Sequence, residues 1–392
     1  MHDTSETAVI LAAGAGRRLE PLTNRRPKPM VPVANRPLLE HVIETVAAAG
    51  IDRIVLVVGY KQERIRNHFG DGDEWDVTIE YVEQSTQLGT GHAVLQAESI
   101  VDDPFIVLNG DRIVDVEAVS TVRNRLHDGA TPLVTVTAVE HPREYGVVQT
   151  DGDRVTNIDE KPEGPVDTNR INAGVYGFSP AIFDAIRATQ TIGELAITAT
   201  LNELAAENEV TSLSYDGRWL DVSHLWDVLT VNAALIQDHD REPAKSGQSI
   251  STTATVGDDV VLAGNVRIGP NATLSGATAI GSNVTIGANT VVENSVVFPD
   301  AVIEPGVVVR DAIVAGNARI GPNATIVGGP STVAVGDAVH RDVTLGGVVG
   351  DNTSIGGGAT LTNGAVVGDD VRATAGVVID DRVESGAVVR RG

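Results

Sequence analysis

Two glycines and a cluster of cations near the N-terminus could bind phosphate groups. Gly14 and Gly16 follow a short apolar run, and small residues in such a turn let backbone N–H groups approach phosphate oxygens. The turn is not a P-loop, because no Gly-Lys-Ser/Thr follows, nor a dinucleotide fingerprint, because Leu19 occupies the third glycine's place. Residues 17–36 carry six cations, suited to pair with a triphosphate: Arg17, Arg18, Arg25, Arg26, Lys28 and Arg36.

Further polar motifs follow in the first 235 residues. They are Gln84-x-x-x-Leu-Gly-Thr-Gly-His-Ala93, Asn109-Gly-Asp111, Tyr145-Gly-Val-Val148, Glu160-Lys-Pro162, Asn172-Ala-Gly-Val-Tyr176 and Trp219-Leu-Asp221. Each motif is weak alone, but in this order behind the Gly-rich turn they resemble the sugar-1-phosphate nucleotidylyltransferases. The Gln84 segment resembles uridylyltransferases of N-acetylglucosamine 1-phosphate, whereas the segments from Tyr145 onward resemble thymidylyltransferases of glucose 1-phosphate. The sequence therefore leaves the base and the sugar open.

The resemblance implies Mg²⁺-dependent transfer of a nucleotidyl group from UTP or dTTP to glucose 1-phosphate or N-acetylglucosamine 1-phosphate, with release of pyrophosphate. Because two polyanions must meet, catalysis consists largely of charge neutralisation and in-line positioning. Mg²⁺ needs only one or two carboxylates, and the resemblance places them at Asp111 and Asp221. It assigns catalysis to Arg18, Lys28 and Asp111. It assigns the nucleotide to Leu11, Ala13, Gly14, Gly16, Gln84, Gly89 and Thr90, and the sugar to Gly146, Glu160, Lys161 and Asn172.

The elements that must position these residues alternate between strand and helix patterns. The apolar runs typical of buried strands are Ala8–Ala13, Ile54–Val58 and Phe105–Leu108, and Leu38–Ala49 has helical spacing. This alternation predicts an α/β, Rossmann-like domain whose mixed, mainly parallel sheet carries helices on both faces. Ligands of such sheets bind beyond the carboxyl ends of the strands, where two of the motifs lie.

A six-residue period runs through the rest of the chain. Apolar residues recur every six positions from Val256 to Phe298, the frame slips over Phe298–Val302, and the period continues to Ile379. Neither a helix nor an ordinary strand has this period, whereas a triangular coil with one inward residue per side does. We predict a left-handed parallel β-helix over 251–392, with loops leaving it near 299–305 and 328–334. A linker over 241–250 would join it to a nucleotidylyltransferase domain over 1–240.

The combination of these two parts resembles archaeal bifunctional enzymes that join a sugar-1-phosphate nucleotidylyltransferase to an amino-sugar-1-phosphate acetyltransferase. The resembling acetyltransferases use a His as base toward acetyl-CoA, and His340 and Asn363 align with the His and Asn of their active-site stretch. Three other positions depart from that pattern: Val343 stands for a Tyr, Ser354 for an Asn and Asp369 for a Lys.

The β-helix is therefore interpreted as mainly structural and oligomer-forming, a homotrimer being favoured by its resemblance to trimer-forming β-helices. Acetylation of glucosamine 1-phosphate, with acetyl-CoA as co-substrate, is the alternative. A non-catalytic regulatory or scaffold subunit is a second alternative, although such subunits usually lose the Gly-rich loop or the metal aspartates.

Composition limits the partners. The 392 residues include 53 acidic and 29 basic side chains, a net charge of −24, which argues against nucleic acid or an anionic membrane as partner. No apolar run reaches the roughly 18 residues needed to span a bilayer. Cysteine is absent, which excludes disulfides and thiolate chemistry. We expect a cytoplasmic enzyme, and the scarcity of lysine, four residues in all, indicates a halophilic, haloarchaeal source.

Overall fold

A computed structural model describes residues 6–191, 193–237, 246–335 and 338–391. The helices of this part of the chain are α1 (Leu38–Ala48), α2 (Gln62–Phe69), α3 (Thr90–Leu95), α4 (Val116–His127), α5 (Ala181–Ala188), α6 (Ile197–Ala206) and α7 (Leu225–Gln237). The strands that precede the end of α7 are β1 (Thr7–Leu11), β2 (Pro32–Val33), β3 (Arg36–Pro37), β4 (Arg53–Val58), β5 (Thr78–Glu83), β6 (Phe105–Asn109), β7 (Arg112–Val114), β8 (Leu133–Ala138), β9 (Gly146–Asp151), β10 (Arg154–Glu160), β11 (Arg170–Phe178), β12 (Thr211–Ser214) and β13 (Trp219–Asp221).

The described residues form two compact units. The first unit comprises the described residues up to Ala15 together with Pro27–Met30 and Leu38–Asp221. The second comprises Gly16–Arg26, Val31–Pro37 and the described residues from Val222 onward. The domain bounds 1–240 and 251–392 stay predictions, and residues 241–245 of the predicted linker lie outside the described residues.

The first unit is built on a nine-stranded mixed sheet of order β5-β4-β1-β6-β11-β8-β12-β10-β9. The first four strands run parallel, and so do β8 and β12, whereas the remaining neighbours are antiparallel. The expected α/β fold is confirmed, with its parallel character concentrated in the half formed by β5, β4, β1 and β6. Helices α1, α2 and α4 contribute to the core on one face, and α3, α5 and α6 to the core on the other.

Burial on both faces explains the apolar run of β1. Ala8 and Ile10 point into one core and Val9 into the other, so the central positions of the strand have to be apolar. The chain then passes to β4 and β5 on one side of β1 and returns to β6 on the other side. The carboxyl ends of β1 and β6 therefore border the switch point of the sheet, where α/β proteins bind ligands.

The second unit contains the predicted left-handed parallel β-helix. Its strands, together with one hairpin, are β14 (Ser249–Ile250), β15 (Thr255–Val256), β16 (Val260–Leu262), β17 (Arg267–Ile268), β18 (Thr273–Ser275), β19 (Thr278–Ile280), β20 (Thr285–Ile286), β21 (Val291–Glu293), β22 (Val296–Val297), β23 (Val302–Ile303), β24 (Val308–Arg310), β25 (Ile313–Val314), β26 (Arg319–Ile320), β27 (Thr325–Ile326), β28 (Pro330–Val335), β29 (Ala338–Thr344), β30 (Gly347–Val349), β31 (Ser354–Ile355), β32 (Thr360–Leu361), β33 (Ala365–Val367), β34 (Arg372–Ala373), β35 (Val378–Ile379) and β36 (Val388–Val389). All but β28 and β29 stack into three parallel sheets around one apolar core.

Asparagine side chains stabilise the corners of the β-helix. Asn265 and Asn283 have φ of 58° and 62°, a left-handed conformation that Asn tolerates better than most residues. Asn265 donates its side-chain amide to Asn283 at 3.2 Å, and Asn283 donates to Asp300 at 2.9 Å. The corner residues thus form a hydrogen-bonded ladder from coil to coil.

Two loops are expected to leave the β-helix, and the prediction of the first one is wrong. Thr285 pairs with Val302, 17 residues later, where the preceding coil pairs Arg267 with Thr285, 18 residues later. The frame slip is therefore a one-residue shortening of the corner between Val291 and Val296, upstream of 299–305, because a corner can lose a residue without interrupting the stack. The break near 328–334 does leave the coil, as the antiparallel hairpin β28–β29.

One face of the β-helix is covered within the second unit. The outward residues Ala279, Val296 and Ile313 of the sheet that contains β19, β22 and β25 are at most 1% exposed. Asn232 of α7 donates to the Ala277 carbonyl at 2.6 Å, and Asn35 donates to the Val261 carbonyl at 3.2 Å. Helix α7 and the segments Gly16–Arg26 and Val31–Pro37 therefore pack as parts of this unit.

Candidate active site

A cavity of about 570 Å³ lies in the first unit at the carboxyl ends of β1 and β6. Among its lining residues are most of those predicted to bind substrate: Leu11, Ala13, Gly14, Lys28, Gln84, Gly89, Thr90, Asp111, Gly146, Glu160, Lys161 and Asn172. Leu11 and Asn109 are register partners at the ends of the two strands, and the backbone N–H of Gly110 donates to the Leu11 carbonyl at 2.9 Å. The switch point of the sheet therefore brings together motifs that are far apart in sequence.

Lys28 and Asp111 form an ion pair in this cavity. Lys28 Nζ lies 2.6 Å from Asp111 Oδ2, and the two side chains are 13% and 30% exposed. Burial would raise the pKa of Asp111, but the Lys28 ammonium and the Arg112 guanidinium outweigh it and hold that pKa below its ordinary value. The cavity thus holds a fixed anion and a fixed cation side by side.

Asp221 lies on the short ribbon that follows Asp111. Strands β7 and β13 pair antiparallel with Asp221 opposite Arg112, whose Nε lies 3.7 Å from Asp221 Oδ1. Burial would lower the pKa of Arg112, but the Asp221 and Asp111 carboxylates raise it, so this side chain carries a permanent charge. Arg112 is not among the predicted site residues, although its position directly after the candidate metal carboxylate Asp111 is a signal in the sequence.

The nucleobase segment is held by its own hydrogen bonds. Gln84 is buried, and its amide nitrogen lies 3.0 Å from the Gly89 carbonyl and 2.9 Å from His92 Nδ1. Gln87 donates to the Ala13 carbonyl at 2.7 Å, which joins the segment to the Gly-rich turn. Thr90 begins α3 and accepts a hydrogen bond from the Ile197 N–H at 2.9 Å. His92 is thus one of the residues whose hydrogen bonds hold this segment in place.

Gly89 is required by both its conformation and its surroundings. Its φ is +103°, and a Cβ there would lie 2.5 Å from the Leu195 carbonyl oxygen. Gly89→Ala should destabilise the first unit by about 3 kcal/mol through backbone strain and overpacking. Chemical denaturation would measure this, with Gly14→Ala as control, because a Cβ at Gly14 meets no atom within 4 Å. Equal, small effects of the two substitutions would contradict the prediction.

The predicted sugar-binding residues line the cavity in different ways. Glu160 and Gly146 are register partners on β10 and β9, and a Cβ at Gly146 would lie 3.0 Å from Glu160 Oε1. Asn172 is buried, donates to the Tyr176 hydroxyl at 2.7 Å and accepts from the Gly174 N–H at 3.0 Å. Burial raises the pKa of Tyr176 to about 12. Strand β11 has a register shift between Asn172 and Tyr176, and the hydrogen bonds of Asn172 stabilise it. The motif did not predict this structural role.

The cationic cluster of residues 17–36 does not act as one phosphate site. Arg26 binds Asp351 at 2.6 Å and Arg25 binds Asp370 at 2.5 Å, both within the second unit. The prediction that all six cations pair with a triphosphate is wrong for Arg25 and Arg26, because carboxylates of the β-helix neutralise them. Arg18 is exposed in the 3-10 turn Arg17–Leu19, which follows Gly16 at φ 68° in the same unit.

His340 is part of the β28–β29 hairpin, and Asn363 contacts that hairpin. His340 lies on β29, and its ring centroid is 4.6 Å from that of His224 and 4.9 Å from that of Trp226. Asn363 donates its side-chain amide to the carbonyl of Pro330, the first residue of β28. His340 thus packs against the rings of His224 and Trp226 in the second unit.

Two features are absent from the described residues, a multi-ligand metal cluster and a membrane-spanning helix. Among these residues, no group of three or more His, Cys, Asp or Glu side chains could hold a metal ion. No helix in the described ranges has the length and apolar character needed to cross a membrane.

The fold and the cavity define an α/β protein with charged side chains gathered at the switch point of its sheet. A model of the nucleotidyl transferase family matches residues 7–238, and one of the GMPPB C-terminal domain matches residues 256–346. The chain belongs to the nucleotidyl transferase family, and a β-helix follows its family domain.

Named relatives and solved structures agree with this assignment. The chain is 35% identical over 269 residues to the bifunctional protein GlmU of Methanococcus maripaludis, over 68% of this chain and 62% of that protein. The match spans only about half to three fifths of the GlmU relatives. Identity is 35% to a glucose-1-phosphate thymidylyltransferase of Streptomyces antibioticus, over 68% of this chain and 74% of that protein. Identity is 34% to the low-salt glycan biosynthesis nucleotidyltransferase Agl11 of Haloferax volcanii, over 67% of this chain and 73% of that protein.

A structural comparison gives the same fold. The crystal structure of a putative glucose-1-phosphate thymidylyltransferase from Bacillus anthracis superposes with a TM-score of 0.56 at 25% identity. The superposition covers 61% of this chain and 98% of that one.

Proposed function

We propose that this chain catalyses Mg²⁺-dependent transfer of a nucleotidyl group from UTP or dTTP to a sugar 1-phosphate, either glucose 1-phosphate or N-acetylglucosamine 1-phosphate. The observation that carries the proposal is the Lys28–Asp111 ion pair at the switch point of the sheet, in a cavity that the predicted nucleotide and sugar residues line. The names of the thymidylyltransferase and GlmU relatives support it.

In the proposed reaction an oxygen of the sugar phosphate attacks the α-phosphorus of the nucleotide. The bond from that phosphorus to the bridging oxygen breaks, and pyrophosphate leaves with the electron pair. Lys28 lies at the cavity wall with its charge held next to Asp111, so it is placed to bind the phosphates. Arg18 and the N–H groups of the Gly-rich turn are assigned to the triphosphate on the resemblance alone.

Asp111 would hold Mg²⁺ together with Asp221, which lies behind Arg112 as seen from the cavity. The residues fit this ion, because Mg²⁺ in nucleotide sites usually takes one or two carboxylates and completes its shell with phosphates and water. That composition also agrees with the lack of a three-ligand cluster among the described residues. When bound, the ion would neutralise charge that develops on the phosphate oxygens.

Gln84 favours uracil or thymine over cytosine. Its amide nitrogen already bonds to Gly89 and His92, so its carbonyl oxygen is the group left for the base. Uracil and thymine present an N3–H donor to such an oxygen, whereas the N3 atom of cytosine is an acceptor. Glu160 is proposed to bind sugar hydroxyls and Lys161 the sugar phosphate, with Gly146 and Asn172 forming the wall of the sugar subsite.

The experiment is a panel of pyrophosphate-release assays. UTP, dTTP and CTP would each be combined with glucose, glucosamine or N-acetylglucosamine 1-phosphate, at high and low salt. We expect release with UTP or dTTP and at least one sugar phosphate, loss of release with EDTA, and recovery with added Mg²⁺. No release from any combination at either salt concentration would refute the proposed function.

Acetyl transfer on the β-helix is a second candidate, favoured by the bifunctional name of the GlmU relatives. Because His340 packs against two rings, we assign it a structural role. His340→Ala should destabilise the second unit by about 1 kcal/mol and leave pyrophosphate release unchanged. Denaturation and assays of CoA release from acetyl-CoA with glucosamine 1-phosphate would test this. CoA release by the wild type that His340→Ala abolishes would establish acetyl transfer instead.

A homotrimer, a cytoplasmic location and a halophilic source stay predictions from the sequence. Analytical ultracentrifugation in high salt would test the first of them.

A further inference from the structure

Arg112 holds a carboxylate that the proposed metal would need. Its guanidinium lies 3.7 Å from Asp221, and its Nη1 donates to the Asn172 carbonyl at 3.2 Å. The Asp221 side chain is only 3% exposed, whereas that of Arg112 is 20% exposed and lines the cavity. Arg112 therefore stands between the cavity and Asp221.

Two aromatic rings keep the guanidinium in place. The Arg112 Cζ lies 5.5 Å from the ring centroid of Tyr145 and 5.1 Å from that of Trp219. The two rings pack edge to face at 5.1 Å, and the Trp219 indole donates to the Ala173 carbonyl at 2.8 Å. Gly174 has a φ of +80°, and a Cβ there would lie 2.5 Å from Asn109 Nδ2 and 3.3 Å from Arg112 Cδ, so a larger residue would crowd this arrangement. The charge is thus pre-positioned at the cavity wall.

The charges of the cavity explain why a polyanion needs Arg112. The lining includes three cations, Lys28, Arg112 and Lys161, and four acids, Asp111, Glu144, Glu160 and Glu194. Lys28 and Arg112 are each paired with one of the candidate metal carboxylates. A guanidinium has five N–H donors, and its hydrogen bond to Asn172 and ion pair to Asp221 leave donors for a phosphate oxygen.

We propose that Arg112 is a substrate-binding residue that exchanges partners: it leaves Asp221 to bind a phosphate oxygen of the substrate, which frees Asp221 for the divalent cation. Before substrate arrives, Arg112 neutralises Asp221 and lowers its affinity for metal. When phosphate and metal enter together, cation pairs with phosphate and carboxylate with metal, and no buried charge is left alone. The inference rests on the proposed function and adds a phosphate ligand to it.

The test measures binding without turnover. Arg112→Gln removes the charge but retains an amide, and it should change two affinities in opposite directions. Binding of Mn²⁺ alone, followed by electron paramagnetic resonance, should tighten roughly tenfold, because the competing cation is gone. Binding of UTP or dTTP without metal, followed by calorimetry, should weaken roughly tenfold or more through loss of a charge-assisted contact. Arg154→Gln, at an exposed position on β10, is the matched control and should change neither affinity.

Opposite shifts in Arg112→Gln, with none in the control, support the exchange. An unchanged or weaker affinity for Mn²⁺, or an unchanged affinity for both nucleotides, would overturn it. Arg112→Lys controls for a general structural effect of replacing Arg112. It keeps the positive charge but lacks the planar guanidinium, so its affinity for Mn²⁺ should stay near that of the wild type. A chain that shows the opposite shifts but releases no pyrophosphate with any sugar phosphate would refute the proposed reaction and leave the exchange standing.

Discussion

Replacing Asp111 with Asn should lower the rate of pyrophosphate release about a thousandfold, a loss of roughly 4 kcal/mol of transition-state stabilisation. The amide keeps the shape of the side chain but cannot bind Mg²⁺ with a negative charge, and it no longer neutralises Lys28 at 2.6 Å. Because Lys28 is only 13% exposed, the lost pair should also lower the free energy of unfolding by about 1–3 kcal/mol. That is less than the stability of a typical domain, so the variant should fold.

Steady-state kinetics and chemical denaturation would separate the two effects. The control is Asp151→Asn, which makes the same change at the exposed end of β9 and should leave both the rate and the unfolding midpoint near wild type. An Asp111→Asn protein that retained more than a tenth of the wild-type rate would contradict the assignment of this carboxylate to the metal.

Replacing Arg26 with Ala should destabilise the second unit by about 3–5 kcal/mol. The Arg26 and Asp351 side chains are 13% and 6% exposed, and Arg26 binds Asp351 Oδ1, whereas Asp351 Oδ2 is buried with no hydrogen bond in the described part of the chain. Arg26 also lies over the ring of Phe298, with 5.0 Å between its Cζ and the ring centroid. Without Arg26, the Asp351 carboxylate would be left buried and unpaired.

The neighbouring residue provides the matched control. Arg25 pairs with Asp370, but these side chains are 41% and 52% exposed, so Arg25→Ala should cost less than about 1 kcal/mol. Calorimetry of both variants would show the difference as separate shifts of the unfolding transition that belongs to the second unit. The double substitution Arg26→Met, Asp351→Leu should regain much of the loss, because it removes both buried charges. Similar shifts for Arg25→Ala and Arg26→Ala would show that burial of the pair contributes nothing.

The sequence predicts this fold where one interaction sets the local pattern. The six-residue period arises because each side of a triangular coil has one inward position, and Ile268, Leu274 and Ile280 occupy it on successive sides. The apolar run of β1 arises because the strand is buried on both faces. Leu38–Ala48 follows helical spacing and ends before Gly50, whose φ is +81°.

Contacts between distant segments could not be read in the same way. Arg26 and Asp351 are 325 residues apart, and no local pattern distinguishes an arginine that meets a carboxylate from one that meets a phosphate. The shortened coil near Asn294 also resembles a loop in the sequence, because a missing residue and an inserted segment both interrupt a period. The pairing of Arg112 with Asp221 could not be predicted from local sequence, because it depends on the β7–β13 ribbon.

The sequence by itself determined the two architectures and the motifs that meet at the site, because periodicity and glycine placement follow from the local geometry of the chain. Only the tertiary structure decided how the cations are used. Of the six between residues 17 and 36, Lys28 lines the cavity beside Asp111, whereas Arg25 and Arg26 neutralise acids of the β-helix. The physical reason is that an ionic interaction depends on distance and burial, and both are fixed by packing rather than by order along the chain.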